Sequence, residues 1–336
     1  MNGYMPCDPV TLLQVAIALL ATLLVGLGLS RSPPRWYAHW LAWMLTVVAT
    51  AGVERLCRNE PAGVRMFAII GALLFGMKSV VSVEAQADGT PRLSTWRWLG
   101  FAALWPGMRT APFAHAGRSR QPGAWPLIGR GCSNAGIGLT LIFLAWLIWH
   151  HGQPPLSGEI ACLFATVLLL SGLSLIVHFG IFNLLAGMWR LAGVDARPLF
   201  RAPLAAPSLE NFWSRRWNLA FSEMTAIGIY RPLSGRVGRK GATLAAFVAS
   251  GLLHELAISV PVMAGFGLPM LYFLLQGMLV LIERFFEKSG RAVSGWGWWA
   301  HVWVLGWLVL PVPLVFHRPF LRGVVWPLIG LDPPSN

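Results

Sequence analysis

"VASGLLHELAISV", Val248 to Val260, decides what kind of molecule this chain makes. Two ionisable residues, His254 and Glu255, stand side by side in an apolar run that extends from about 242 to 264, just after Arg239-Lys240. An unbroken apolar run of that length can cross a hydrocarbon core. The whole chain agrees with a lipid setting. Its 336 residues are 56% hydrophobic and 12% charged, against about 25% charged in soluble domains.

Working outward, comparable runs occupy about 10–29, 36–53, 66–83, 135–150, 160–189, 266–282 and 296–316, eight in all with the first. Open sheets cannot satisfy their backbone in lipid, so the spans are helices. The expected fold is all-α. It is a polytopic integral membrane helical bundle of about eight transmembrane helices, with interfacial helices in its long links, forming one membrane-embedded unit over 1–336. The first run is read as a span rather than a secretion signal, because only Asp8 and no basic residue precedes it and it exceeds a usual signal core.

The net charge of +13 suggests nucleic acid until its distribution is mapped. Six arginines fall in 84–132, nine Lys and Arg between Arg190 and Lys240, three near 283–291, and Arg31 and Arg35 after the first span. The alternate links hold only Arg55, Arg58 and Arg65, with Arg318 and Arg322 in the tail. By the positive-inside rule the rich side is cytoplasmic and both termini face away from it, in a cytoplasmic membrane if the host is bacterial. The basic excess is a topology signal with no nucleic-acid partner implied. Membrane lipid is the expected surrounding.

Several chemistries are excluded. Gly238-Arg239-Lys240-Gly241 lacks the spacing of a phosphate loop, glycine pairs within spans lack the third glycine of a dinucleotide motif, and no GxSxG elbow occurs. Cys7, Cys57, Cys132 and Cys162 are scattered, with no CxxC pair for zinc or a disulfide framework. His254-Glu255 opens like a zincin helix, but Ile258 stands where the second histidine belongs, so no metal is expected.

His254 lies 13 residues past 241, roughly 20 Å deep at 1.5 Å per residue. An ionisable group there costs about 2.5–3.5 kcal/mol on insertion scales and is a candidate functional group by default. A structural histidine satisfied by a neighbouring helix is the plain alternative, weakened by the adjacent Glu255. Ser250, one turn earlier, shares the face of His254 and is placed to hydrogen-bond across a cavity. Histidine, with an ordinary pKa of about 6.5, suits general-base removal of an alcohol proton near pH 7.

"NFWSRRWN", Asn211 to Asn218, is the second unusual stretch. Ser208, after Pro207, is a plausible helix N-cap. On one continuous helix Trp213 and Trp217 share a face with Arg216, Arg215 lies on a neighbouring stripe, and Asn218 aligns with Ser214 and Ser222. An interfacial helix with snorkelling arginines explains all of this except Asn218.

Together, "SLENFWSRRWNL" and "ASGLLHELA", with 36 residues from Asn218 to His254, resemble the membrane-bound O-acyltransferases, and among them the wax-synthase-type branch. Ser214 stands where glycine is common in plant members, and Glu210-Asn211 replaces the usual Gln-Asp. The match covers about 205–260. The resemblance implies a helical bundle enclosing a reaction chamber, with a motif-bearing core at about 205–265 and acyl-CoA as co-substrate rather than any bound cofactor. It implies His254 as general base on the hydroxyl of a lipophilic alcohol, and Asn218 near the thioester. Trp213, Arg215, Arg216 and Trp217 would shape the cytoplasmic mouth and hold CoA phosphates, while Ser250 and Glu255 would line the polar part of the chamber. The competing function is a proton-coupled transporter or flippase using the His254-Glu255 pair, whose mark would be an inverted repeat with broken helices, and none is visible. Elsewhere, Lys78 is expected to snorkel, His178 to pack or line the chamber, His150 and His151 to lie in a loop, and His301 to be interfacial.

Overall fold

The computed structural model describes residues 3–33, 36–152 and 158–332. Every regular element among the described residues is a helix, with no strand. Seven helical segments are long and apolar enough to cross a membrane: Pro9–Leu29, Ala62–Ala87, Ala124–His151, Gly158–Leu191, Leu219–Val262, Leu268–Lys288 and Trp298–Val315. Seven replaces the expected eight. Trp36–Leu56 is a 21-residue helix, but Trp36, Tyr37, His39, Trp40 and Trp43 dilute its apolar character. It nevertheless packs lengthwise on Ala62–Ala87, where a Cβ at Gly76 would come within 2.7 Å of Thr46. Arg35, assigned with the basic links, lies outside the described residues.

Local chemistry sets the helix ends. Asp8 caps the first helix, its carboxylate accepting from Val10 N (2.9 Å) and Thr11 N (3.1 Å) with Pro9 at the first helical position. Of the expected long link at 84–132, residues Thr95–Leu104 form a short helix, but 124–132 do not belong to it. The next span begins at Ala124, after Gly123 in a left-handed conformation (φ 78°), and runs 28 residues to His151. That corrects the loop assignment of His150 and His151. His150 Nε2 is 3.0 Å from Ile329 O, tying this helix end to the C-terminal segment.

The ends of the helices sort onto two faces. Tyr4 Oη donates to Val324 O (2.6 Å), and Cys7 N and Asp8 N donate to the Glu60 carboxylate (2.7 and 3.1 Å). The N-terminal residues, the 57–61 link and the C-terminal segment thus share one face. Arg65, an apparent exception in the charge count, is buried and donates to Pro261 O (2.8 Å) and Glu54 (3.2 Å). It is a structural cation. Lys78 is another, fully buried rather than snorkelling, with Nζ donating to Phe101 O (2.8 Å), Trp105 O (2.7 Å) and Gly107 O (2.5 Å). Three carbonyls satisfy all three of its protons, which removes any drive to reach solvent.

Leu219–Val262 is not one straight helix. Gly238 (φ 73°, ψ 168°) folds it, and Phe221 on the first limb meets His254 on the second, ring centroids 5.3 Å apart. The two limbs are an antiparallel helical hairpin of nearly equal arms, with Arg236, Arg239 and Lys240 at its tip.

Candidate active site

Ser208 does cap a helix start, its Oγ accepting from Asn211 N (3.0 Å). Glu283 supports the same turn from outside, accepting from Leu209 N (2.8 Å) and Glu210 N (2.9 Å). The turn widens into a π-helical stretch over Phe212–Arg216 and then stops. Trp217 is extended (φ −103°, ψ 126°) and Asn218 is left-handed (φ 41°, ψ 64°). The expected continuous helix, with Trp213 and Trp217 on one face and Asn218 under Ser214, is therefore wrong. Backbone pairing with the preceding segment is what turns the chain: Arg201 N donates to Arg216 O (2.8 Å) and Leu219 N to Leu199 O (2.8 Å). Asparagine tolerates the left-handed region better than other non-glycine residues. A new helix starts at Leu219, where Asn218 Oδ1 accepts from Phe221 N (3.3 Å). The Asn218 Nδ2 makes no hydrogen bond to the described residues.

The stretch does not rest on the molecule's surface as an anchor. Glu210 pairs with Arg284 (2.9 Å). Trp213 Nε1 donates to Gln276 Oε1 (3.2 Å) and its ring meets Phe273 (5.7 Å). Trp217 stacks on Phe212 (5.4 Å) and meets His178 (5.6 Å) edge-on. The segment runs among the helices, with Phe212 buried and Trp213 and Trp217 half-buried.

His254 has a defined tautomer. Its Nδ1 lies 2.7 Å from Ser250 O, and a carbonyl oxygen only accepts, so Nδ1 carries the proton and Nε2 keeps the lone pair. The ring is held between Phe273 (4.2 Å) and Phe221 (5.3 Å). The Ser250 hydroxyl does not reach across a cavity as expected. It donates back to Ala246 O (2.8 Å), the usual alternative for a serine inside a helix.

One cavity of about 580 Å³ joins these groups. Asn218, His254, Trp213, Trp217 and Ser250 all line it. Its polar end holds Glu210, Arg284, Thr243 and Tyr230, and its other end is apolar, with Ile258, Leu308, Val312 and Phe316. Three expected site residues lie elsewhere. Arg215 faces a separate recess of about 350 Å³ beside Glu283 and Glu287. Arg216 is spent on Asn211 Oδ1 (2.5 Å) and Ala202 O (3.0 Å). Glu255 points away from the cavity, its Oε1 accepting from Gly267 N (2.9 Å) and Met270 N (3.0 Å) at the start of the Leu268–Lys288 helix.

Two lining residues were underweighted or missed in the sequence. His178 lines the cavity, with Ser174 Oγ 3.1 Å from Nδ1 and its ring stacked on Phe200 (4.7 Å). Arg284 carries no local motif. It is found only through its partners, the Glu210 carboxylate and Thr243 Oγ1 (2.7 Å).

Comparison with known proteins adds independent support for this region. Residues 196–275 match the model of the family described as "Membrane bound O-acyl transferase family". Over 153 residues, 39% of this chain and 42% of the relative, the sequence is 35% identical to the long-chain-alcohol O-fatty-acyltransferase of Simmondsia chinensis. It is 30% identical over 150 residues to the probable long-chain-alcohol O-fatty-acyltransferase 9 of Arabidopsis thaliana, again covering 39% of this chain and 42% of the relative. The matched part thus spans less than half the length of these curated relatives. The resemblance read from the two motifs is borne out as a similarity: the segment that carries Asn218 and His254 matches the membrane-bound O-acyltransferase model and resembles long-chain-alcohol O-fatty-acyltransferases.

Proposed function

We propose that this protein transfers an acyl group from acyl-CoA to the hydroxyl of a lipophilic alcohol, as a multi-pass membrane enzyme with its polar cavity end toward the cytosol and both termini on the opposite side. The observation that carries the reading is that His254, with a free Nε2 lone pair, and Asn218, with an uncommitted amide N–H₂, line the same largely apolar cavity. The names of the similar plant proteins, long-chain-alcohol O-fatty-acyltransferases, support it. The functional unit is the whole chain, with about 205–265 as its core.

The alcohol gives its proton to His254 Nε2 as its oxygen attacks the thioester carbonyl carbon. The carbonyl electrons move onto oxygen, where the Asn218 Nδ2 donates a hydrogen bond to the developing oxyanion. Collapse of the intermediate breaks the carbon–sulfur bond, and the departing sulfur takes the proton back from His254. Ester and free CoA thiol result, with no net proton change. General-base assistance of this kind is worth about 10²–10⁴ in rate. The aromatic walls keep out water that would otherwise hydrolyse the thioester.

Isolated membranes containing the protein, given labelled acyl-CoA and a panel of long-chain alcohols, should form labelled ester. Membranes with His254→Ala at equal protein level should not. Equal ester formation by that variant would falsify the mechanism.

A further inference from the structure

Neither the arginines expected at the mouth, Arg215 and Arg216, nor Arg284 at the polar end of the cavity is free to bind an anion. Arg216 is held by Asn211 and a backbone carbonyl, and Arg284 by Glu210 and Thr243. Arg215 faces a recess it shares with Glu283 and Glu287, where carboxylates outnumber it. Three other cations stand in line with the cavity. Arg236, Arg239 and Lys240 sit at the tip of the Gly238 hairpin and are exposed, and their side chains have no hydrogen-bond or ion-pair partner among the described residues. Tyr230 and Thr243, which line the polar end of the cavity, stand just below that tip on the two limbs.

The geometry points to the hairpin tip as the docking site for the phosphates of the acyl donor. We infer that Arg236, Arg239 and Lys240 bind a phosphate-bearing headgroup while the acyl thioester reaches down between the limbs to His254. This rests on the acyl-transfer reading above and names how that site recognises its donor. The distances suit it: His254 lies 16 residues past Gly238, roughly 24 Å at 1.5 Å per helical residue, and long basic side chains extend back over part of that gap. A purely topological role for these charges requires no particular position along the loop. Their grouping at the fold of the hairpin that carries His254 is what the docking role explains. Arginine's forked guanidinium suits phosphate oxygens, with lysine as a point charge beside it.

The test compares two donors with one acyl chain, a CoA thioester and a phosphate-free N-acetylcysteamine thioester, on purified protein in vesicles of zwitterionic lipid. In Arg236→Gln/Arg239→Gln/Lys240→Gln, the ratio of kcat/KM for the CoA thioester to that for the phosphate-free thioester should fall about tenfold, as expected when several exposed charge pairs are removed together. Each single substitution should lower it a few-fold. The single variants keep two basic residues at the tip and so retain the insertion signal if the triple variant inserts poorly. Raising salt should reduce the wild-type ratio, and reduce it less in the variants. An unchanged ratio in all variants overturns the inference. So does a loss seen only in vesicles containing anionic lipid, which would assign the tip to lipid headgroups. If the wild type makes ester from neither donor, the acyl-transfer reading itself fails, and calorimetric binding of CoA to wild type and variants still decides the docking site.

Discussion

Two histidines, one lining the cavity and one packed against Gly265, are given opposite tautomers by the backbone. His254 faces the carbonyl of Ser250 with Nδ1, so its proton sits there and Nε2 is left as a base. His317 faces the N–H of Phe320 with Nδ1 (3.3 Å), so in its neutral form the proton sits on Nε2. The first ring opens on a cavity. The second is buried under Gly265, and neither its Nε2 nor Glu255 Oε2 has a partner among the described residues. The residue type is the same, but one backbone partner leaves a lone pair for the cavity and the other makes a closed helix cap. What separates the two rings is which backbone group the Nδ1 of each meets.

The sharpest way to break this comparison is to remove each ring. His254→Ala should lower ester formation by about 10²–10⁴-fold with normal membrane insertion, whereas His317→Asn, which keeps a side-chain acceptor for the Phe320 N–H, should leave most activity in place. Comparable losses from both would erase the distinction. Next in size is Asn218→Gly, which keeps the left-handed backbone and removes the amide. An oxyanion donor of this kind is worth roughly 10²–10³ in kcat, so kcat should fall that far with little change in thermal midpoint. Loss of fold instead of rate would reassign Asn218 to the chain break alone.

Glu255 separates the two histidines, and its variants test how far the site depends on the helix it caps. Glu255→Gln keeps an oxygen for Gly267 N and Met270 N, while Glu255→Ala leaves both N–H groups to find other partners, at a cost of about 1–3 kcal/mol. The thermal midpoint in detergent should drop for Ala and stay near wild type for Gln. The smallest effect concerns pH. Burial holds the His317 pKa below its ordinary value of 6.5, so the unfolded chain takes up this proton first as pH falls. The stability it contributes is complete above about pH 6.5 and declines as pH drops from there toward the folded pKa. The wild-type minus His317→Asn difference in midpoint should shrink over that window, and a difference independent of pH would show that folding leaves the His317 pKa where the unfolded chain has it.

Apolar runs of sufficient length announced most of the spans, and the paired motifs announced Asn218 and His254. The reasons for the failures are equally physical. Trp36–Leu56 is as long as its neighbours, but its aromatic and histidine content lowers its apolar character without stopping it from packing. The break at Trp217-Asn218 comes from backbone bonds to Leu199 and Arg201, and no local propensity encodes a partner so far back along the chain. Arg215 and Arg216 are placed at the mouth by the resemblance alone, whereas Arg216 is taken up by Asn211 and Ala202 and Arg215 faces a separate recess. Lys78 was read by its distance from the helix end, but three carbonyls of a folded-back segment reach it first. Arg284 lacks any motif, since its role depends on a carboxylate 74 positions earlier.

The widened π-helical turns at Leu175–Ile181, Phe212–Arg216, Ala226–Tyr230 and Glu255–Ser259 have a genetic consequence. Each holds one residue more than an α-helical turn over the same rise, as a natural single-residue insertion would. Losing one codon elsewhere in these helices would spin everything downstream by about 100°. Losing Ala257 would instead take the extra residue out of its widened turn, with Pro261 just beyond it keeping that turn from closing as fully ordinary α-helix. His254 and the residues before it would keep their places, and the apolar residues beyond it would stay close to their present facing. The chain thus carries, beside its candidate base, a turn where a one-codon deletion should disturb the facing of the downstream helix less than elsewhere.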